Sequence, residues 1–319
     1  MLLYIASQDA AGGILRCRLT PAGQIHLIEK IEADRPAYLC REGRRLYAAL
    51  REPFDQQSGV VGYDMDADGA LRQATEVLPT HGPIGCHITA AHGRVYCANY
   101  FGGSTILLPD KVLAHSGHGK DGERQRCSHP HCVTPAPDGA ICINDLGTDC
   151  IYVCTPELVE LSRVCLPPGS GPRHLVFSPD GEYAYCSNEL TCTAAVLRYE
   201  RGRLHFLRSY DVVLPRFKDG SLAAAIRLRD GRLYVSSRGY GSVCVFDVQG
   251  AELEKAGEYR LPGAAFRECA LAGRFLLCGD DAGSRVLVYD LASGFDAPPV
   301  SEFAVKHPWG ILPVEQPEG

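Results

Sequence analysis

The sequence has little of several features that mark common protein classes. No apolar run approaches the roughly 18 residues needed to cross a bilayer, so a membrane-spanning segment is not expected. Lysine and arginine number 32 against 38 acidic residues, giving a net charge of −6. Proteins that bind nucleic acids generally carry an excess of cations to neutralise phosphates. We therefore expect neither a membrane association nor a nucleic-acid partner.

Cysteine is abundant, but its spacing fits neither metal sites nor redox motifs. The chain has 15 cysteines and no CxxC pair, and an odd count argues against the disulfide framework of a small secreted protein. Cys97, Cys186 and Cys278 occupy one repeated strand position, which predicts small buried apolar side chains. The apolar stretch 1–7 has no preceding basic residue and is expected to be a strand, not a signal peptide. Together these features predict a cytoplasmic location.

One five-residue pattern recurs along the whole chain. Its copies are at 3–7, 46–50, 95–99, 141–145, 184–188, 233–237 and 276–280. The second residue of each copy advances from 4 to 277 in six steps, an average of about 45 residues. A period near this length that carries four short strands is typical of a β-propeller blade.

Turn signals favour strands over helices in these repeats. Asp-Gly turns at 137–139, 179–181 and 229–231 stand just before three of the copies, and helical i, i+3, i+4 spacing is absent. We therefore predict an all-β, seven-bladed β-propeller with four-stranded antiparallel blades, forming a single domain over 1–319. The N-terminal segment 1–20 should close the ring beside 303–313, which would leave no open sheet edge.

The first two strands of each blade form a hairpin, which predicts the side chains that meet. The residue before the first strand and the residue after the second lie at the same end, and first strands line the central channel. Arg173 and Glu189 should therefore meet at one mouth of that channel. The same rule applied to the other blades adds His87, Asn99, Tyr100, His129, His131, Asp145, Arg238 and Arg267. Three arginines at one mouth predict a site for an anionic small molecule.

Several of these residues also have purely structural interpretations. Arg173 could bridge neighbouring blades through backbone carbonyls, and Glu189 could serve only as its ion-pair partner. Asp145, which precedes Leu-Gly, fits a turn or cap residue better than a catalytic one.

The histidines near the third repeat are the candidates for metal binding. His115, His118, His129 and His131 lack an accompanying carboxylate or CxxC spacing, so we expect no metal and no other cofactor. His129 and His131 alternate in an extended chain, so only one is expected to face the mouth, and we favour His131.

These motifs together are similar to those of a known family. The similar stretches include 98–100 (ANY), 129–131 (HPH), 145–149 (DLGTD), 171–174 (GPRH), 187–190 (SNEL) and 236–239 (SSRG). In this order they resemble the seven-bladed β-propeller lactonases, which include 6-phosphogluconolactonases and 3-carboxy-cis,cis-muconate lactonizing enzymes. The similarity extends over blades two to five, roughly half of the chain.

The resemblance implies a catalytic set of His131, Arg173, Glu189 and Arg238. It implies a carboxylic ester hydrolase that converts 6-phosphogluconolactone, or a related sugar-acid lactone, to its acid without a metal. Arg267 is expected to help bind the anionic substrate. The sequence departs from the family at 265–268 (AFRE) and at 50–52 (LRE), and both changes could alter the rim of the pocket.

Two other functions remain open at this stage. Lactonization of a carboxylated muconate would need the same histidine, arginine and glutamate residues. A non-catalytic propeller could instead serve as a scaffold, because a fold alone does not assign a function. Either Glu189 or His131 could be the general base, since the first is expected to be ionised and the second has the better-matched unperturbed pKa.

Overall fold

The computed structural model describes residues 1–315 as a closed ring of seven antiparallel sheets. The first strands, in chain order, are β1 (Leu2–Ser7), β2 (Gly13–Leu19), β3 (Ile25–Ile31), β4 (Pro36–Glu42), β5 (Arg45–Phe54), β6 (Gln57–Met65), β7 (Leu71–Gln73), β8 (Leu78–Pro79), β9 (Gly85–Ala91), β10 (Arg94–Asn99), β11 (Ser104–Leu107) and β12 (Lys111–Ala114). The middle strands are β13 (Pro130–Pro135), β14 (Ile141–Asp145), β15 (Cys150–Cys154), β16 (Glu160–Cys165), β17 (Pro172–Phe177), β18 (Tyr183–Asn188), β19 (Thr193–Glu200) and β20 (Arg203–Asp211). The last strands are β21 (Leu222–Arg229), β22 (Arg232–Arg238), β23 (Ser242–Gln249), β24 (Glu252–Arg260), β25 (Phe266–Ala272), β26 (Phe275–Asp280), β27 (Arg285–Asp290), β28 (Ser301–Ala304) and β29 (Pro308–Val314).

The sheets follow the predicted blade pattern. Blade one holds β4–β8, blade two β9–β12, blade three β13–β16, blade four β17–β20, blade five β21–β24, blade six β25–β28, and blade seven β29 with β1–β3. The predicted propeller with four-stranded blades is confirmed, and blade one adds the short strand β8. Short 3₁₀ helices occupy Pro215–Phe217 and Leu291–Ser293, and no described helix has the length and apolar character to span a bilayer. The last four residues of the predicted 1–319 domain lie outside the described residues.

The innermost strand of each blade lines the central channel, as predicted. Neighbouring inner strands contact one another around the whole ring, from β4 through β9, β13, β17, β21 and β25 to β29 and back to β4. The ring closes where β1 pairs antiparallel with β29, with Leu2 opposite Val314 and Ile5 opposite Ile311. The predicted closing segment 303–313 is divided, because Phe303 pairs with Val286 in blade six.

The core lies between the blades, where the second strands are buried on both faces. All six residues of β1 are buried, and Cys97, Cys186 and Cys278 are each 0% exposed, as the repeat predicted. Burial of a large apolar side chain of β1, such as Leu3 or Ile5, stabilises the folded state by about 1.5–3 kcal/mol. The hydroxyls of Tyr96 and Tyr185 donate 2.8 Å hydrogen bonds to carbonyls of the following blade, which joins adjacent blades at that position.

Blade three contains a disulfide that the cysteine spacing did not predict. Cys150 and Cys165 face each other on β15 and β16 and are bonded. The odd cysteine count argued against a disulfide framework and did not reveal this single bond, which forms because antiparallel neighbours bring together cysteines 15 residues apart. The other 13 cysteines are free.

The disulfide predicts a defined thiol count. In unfolded, unreduced protein, an alkylating reagent should modify 13 cysteines, rising to 15 after reduction. The bond withdraws two thiols from the reagent, and intact-mass measurement gives the count directly. Modification of all the cysteines before reduction would contradict the pairing.

Candidate active site

In six of the seven blades, a β-bulge at the start of the inner strand directs one side chain toward the mouth of the channel. In six blades the ladder between the inner and second strands skips one inner-strand residue. These residues are Ala37, Cys86, His131, Arg173, Arg267 and Trp309. A bulge re-aims the unpaired residue, and all six line a single cavity of about 400 Å³.

Glu189 lines this cavity and pairs with three arginines. Its Oε2 is 3.0 Å from Arg173 Nε and 2.8 Å from Arg238 Nη2, and its Oε1 pairs with Arg124 Nη2. Glu189 follows β18, and its backbone N–H donates a 2.7 Å hydrogen bond to the carbonyl of Gly171, just before β17. The hairpin therefore brings Glu189 to Arg173, as the sequence predicted, and leaves an excess of positive charge around one carboxylate.

The charge state of Glu189 follows from these neighbours. Burial alone would raise the pKa of this carboxyl, but the guanidiniums of Arg238 and Arg173 lower it well below its usual range. Arg238 is held by charge more than by a directed bond, because its Nε and Nη2 lack an aligned acceptor among the described residues. Arg238 thus lines the cavity with two buried nitrogens that make no directed hydrogen bond within residues 1–315.

His131 is a neutral imidazole without a hydrogen-bond partner for Nδ1 within residues 1–315. Its side chain is only 5% exposed. Burial lowers its pKa well below the ordinary value, and the positive charge of Arg173 lowers it further. His131 therefore reaches the cavity as an uncharged base.

Further rings continue from His131 along the channel wall. The ring centroid of His174 lies 5.5 Å from that of His131 and 5.2 Å from that of His87, which in turn lies 4.3 Å from Tyr38. Burial, followed by the charges of Arg227 and Arg173, lowers the pKa of His87 to about 3. The wall beside the guanidiniums is therefore uncharged at neutral pH.

An ion pair with one buried partner joins the linings of two cavities. Glu268 is 1% exposed and pairs through Oε1 with Arg227 Nη2, while the Arg227 guanidinium also donates a 3.2 Å hydrogen bond to Tyr38. Glu268 and Tyr38 line the candidate active-site cavity, whereas Tyr38 and Arg227 line a second cavity of about 320 Å³ further along the inner strands. The two members of the pair thus line different cavities.

The rim carries two arginines beside the indole ring of Trp309. The guanidinium carbon of Arg267 lies 3.9 Å from the ring centroid and that of Arg51 lies 5.4 Å from it. The indole is fixed by a 2.9 Å hydrogen bond from its Nε1 to Asp281 Oδ1. Contacts of this geometry between a cation and an aromatic ring are attractive.

Most residues predicted at the mouth line the cavity, and their roles there stay predictions. They are Tyr100, His129, His131, Arg173, Glu189, Arg238 and Arg267. The expectation that only one of the two histidines faces the mouth is wrong. His129 precedes β13 and stacks on Tyr100 at 4.5 Å, and His131 is a bulge residue, so regular alternation applies to neither.

Three predicted binding residues do not line the cavity: His87, Asn99 and Asp145. Asp145 is 0% exposed and accepts a 3.0 Å hydrogen bond from the backbone N–H of Gly147, which matches the turn role left open for it. Asn99 Nδ2 donates a 2.8 Å hydrogen bond to the carbonyl of Thr80. His87 Nδ1 accepts a hydrogen bond from the backbone N–H of Val133. These polar groups hold the walls of the site.

The predicted set of site residues did not include several that line the cavity: Tyr38, Arg51, Arg124, His174, Glu268 and Trp309. Arg51 and Glu268 belong to the two segments, 50–52 and 265–268, that were expected to affect the rim. Arg124 is delivered by the loop 115–129, which folds over the mouth because Gln125 Nε2 donates 2.7 Å hydrogen bonds to Leu146 and Asp149. No local spacing relates Arg124 to Glu189, which lies 65 residues away.

Comparisons with known proteins agree with this fold. A family model described as "Lactonase, 7-bladed beta-propeller" matches residues 2–309. The chain belongs to this lactonase family. An uncharacterized protein of Staphylococcus epidermidis is 31% identical over 269 residues, which is 77% of this chain and 78% of that protein.

Two solved structures of similar proteins extend the family comparison. A provisional 6-phosphogluconolactonase of Bacteroides fragilis is 27% identical, with a TM-score of 0.87 and coverage of 98% of both chains. The periplasmic gluconolactonase of Pseudomonas aeruginosa is 26% identical, with a TM-score of 0.89 and coverage of 99% of both chains. This member of the lactonase family therefore shares its whole ring with proteins named for lactone hydrolysis.

Proposed function

We propose that the protein is a metal-independent lactonase that hydrolyses 6-phosphogluconolactone to 6-phosphogluconate. One observation carries the proposal: His131, a neutral imidazole whose Nδ1 has no hydrogen-bond partner among residues 1–315, lines the same cavity as Glu189 and its arginines. Lactone hydrolysis needs a base for water and donors for the oxyanion, and this cavity offers both.

The proposed reaction begins with a water molecule beside His131. The imidazole accepts a proton from water while the oxygen attacks the lactone carbonyl carbon. N–H donors of Arg173 and Arg238 stabilise the oxyanion that forms. The ring C–O bond then breaks, the departing alkoxide takes the proton back from His131, and the new carboxylic acid ionises to the product.

We assign Glu189 to holding the arginines and not to proton transfer. Both of its oxygens already pair with guanidiniums, so neither oxygen is free to accept a proton from water in this arrangement. Through this carboxylate, Arg173 and Arg238 keep a fixed orientation toward the substrate. We therefore assign the role of general base to His131.

Two predictions from the sequence stay open beside this proposal. Five arginines line the cavity, and they would also suit the carboxylates of a muconate, whose lactonization removes the diene absorbance. The cytoplasmic location stays a prediction, since 13 free thiols favour it whereas the Cys150–Cys165 bond fits an oxidising compartment.

A direct assay tests the proposal. Purified protein with a chelator present is expected to accelerate the hydrolysis of freshly made 6-phosphogluconolactone, followed by proton release. A carboxylated muconate serves as the competing substrate, followed by ultraviolet absorbance. A lactone rate equal to spontaneous hydrolysis would overturn the proposal, and loss of the diene absorbance would favour the cycloisomerase. A protein that converts neither substrate would support the third function, a non-catalytic scaffold.

The pH profile gives a separate prediction. A base must be neutral to accept a proton, and the lowered pKa keeps His131 neutral as the pH falls through 6.5. We therefore expect kcat/KM for the lactone to stay level between pH 7 and pH 6. An unperturbed histidine would lose roughly two-thirds of its neutral form over that interval. A fall in kcat/KM centred near pH 6.5 would contradict the assignment of His131.

A further inference from the structure

The five cavity arginines fall into two groups. Arg124, Arg173 and Arg238 share the carboxylate of Glu189. Arg51 and Arg267 have no ion-pair or side-chain hydrogen-bond partner within residues 1–315, and both lie beside Trp309. The positive charge of this second pair is therefore not neutralised by the described part of the protein.

The backbone positions Arg267 and Trp309, although neither Arg51 nor Arg267 has an ion-pair partner among residues 1–315. Trp309 and Arg267 are both bulge residues, so the backbone aims them into the cavity. Asp281 fixes the indole by accepting from Trp309 Nε1 at 2.9 Å, and it also lies 2.8 Å from His307 Nδ1.

The charge balance at Arg267 favours the binding of an anion beside it. Burial and the neighbouring charges of Arg173 and Arg238 lower the pKa of Arg267 to about 9 despite the opposing carboxylates of Glu189 and Asp281, so its cationic form is poorly stabilised. An anion bound beside the guanidinium would relieve that repulsion. The planar fork of an arginine suits an oxyanion with several acceptor oxygens.

We infer that Arg51 and Arg267, set against Trp309, form a subsite for the phosphate of a phosphorylated sugar-acid lactone. The inference rests on the proposed lactonase function and deepens it by assigning different anions to different arginines. Arg173 and Arg238 face the lactone carbonyl, and the rim pair binds the remote phosphate. The protein should therefore select phosphorylated over unphosphorylated lactones, although one of its relatives is named a gluconolactonase.

Binding of the stable products separates this inference from catalysis. Isothermal titration of wild type with 6-phosphogluconate, gluconate and inorganic phosphate should give the tightest binding for the phosphorylated acid. Arg51→Gln should weaken 6-phosphogluconate binding by on the order of 10–100-fold and weaken gluconate binding by a much smaller factor. The affinity of Arg51→Lys, which keeps the charge but loses the planar fork, should lie between those of wild type and Arg51→Gln. In kinetics, Arg51→Gln should raise KM for the phosphorylated lactone by a larger factor than KM for gluconolactone.

Arg229→Gln is the matched control. Arg229 lines the second cavity and its Nε lies 3.4 Å from Asp230, so the substitution removes the same charge away from the rim. Equal affinity of wild type for gluconate and 6-phosphogluconate, or equal losses in the Arg51 and Arg229 variants, would overturn the subsite. If Arg51→Gln does not fold, two measurements still test the subsite: the affinities of wild type for gluconate and 6-phosphogluconate, and the affinity of Arg51→Lys for 6-phosphogluconate.

The two proposals fail in different ways. A protein that hydrolyses both lactones at equal kcat/KM, unchanged by Arg51→Gln, is a lactonase without the phosphate subsite. A protein that hydrolyses neither lactone, but binds 6-phosphogluconate through Arg51, keeps the subsite and loses the proposed function.

Discussion

Glu189→Gln is expected to lower the free energy of unfolding by about 3–5 kcal/mol, the usual cost of breaking a buried ion pair. Glutamine keeps the size of the side chain but removes the charge that three guanidiniums share. Most of the cost falls on Arg173, whose side chain is 4% exposed, whereas the Arg124 side chain is 36% exposed and can turn to solvent. Urea denaturation at pH 7 measures the change.

The acid dependence of stability provides a second measurement on the same variant. The folded pKa of Glu189 is lowered, so its contribution is fully present above the unfolded value near 4.3 and is lost as the pH falls further. Wild type should therefore lose more stability than Glu189→Gln between pH 5 and pH 3. The two stability curves should converge on acidification.

The same substitution should change how the cavity treats anions. Without the carboxylate, Arg173 and Arg238 have no counter-charge, so the affinity for inorganic phosphate should rise while lactone hydrolysis falls. Glu160→Gln is the control, because its exposed pair with Arg163 is worth at most about 1 kcal/mol. A Glu189→Gln protein as stable as wild type, with unchanged phosphate affinity, would remove Glu189 from the centre of the site.

Most of the fold could be predicted from the sequence repeat, for a physical reason. Each blade must bury its second strand on both faces, so the same apolar pattern returns about every 45 residues along the chain. The hairpin rule then placed Arg173 beside Glu189 correctly, because an antiparallel pair fixes which strand ends coincide.

The bulges are what the periodic pattern could not show. A bulge redirects one side chain but leaves the burial pattern of the strand almost unchanged. For this reason the sequence pattern did not show that both His131 and His129 line the cavity, or that Trp309 lines it as well. A weak signal was available: proline is the first strand residue before the bulge at 36, 130, 172 and 308. Proline tolerates the first position of a strand because it has no N–H to donate.

Long-range contacts set the other limit on the sequence reasoning. The disulfide between Cys150 and Cys165 depends on the register of β15 with β16, and the pairing of Arg124 with Glu189 depends on how a loop folds over another blade. Neither contact follows from spacing along the chain.

His131→Ala is expected to lower kcat for lactone hydrolysis by about 10²–10⁴-fold, the range typical for loss of a general base. The KM should change little, because the arginines that bind the anion are untouched. Since His131 Nδ1 makes no hydrogen bond among residues 1–315, the substitution leaves no polar partner of this nitrogen unsatisfied. The loss should therefore appear in the rate far more than in the melting temperature.

Imidazole rescue distinguishes proton transfer from a purely structural effect. Added imidazole can occupy the space left in His131→Ala and accept the proton from water, so the rate should rise with the concentration of its neutral form. His87→Gln is the matched control, since His87 is also a buried neutral histidine but does not line the cavity. It should change stability more than rate, and imidazole should not affect it. A His131→Ala protein that keeps its rate would return the role of base to Glu189, because that carboxylate is the other candidate in the cavity.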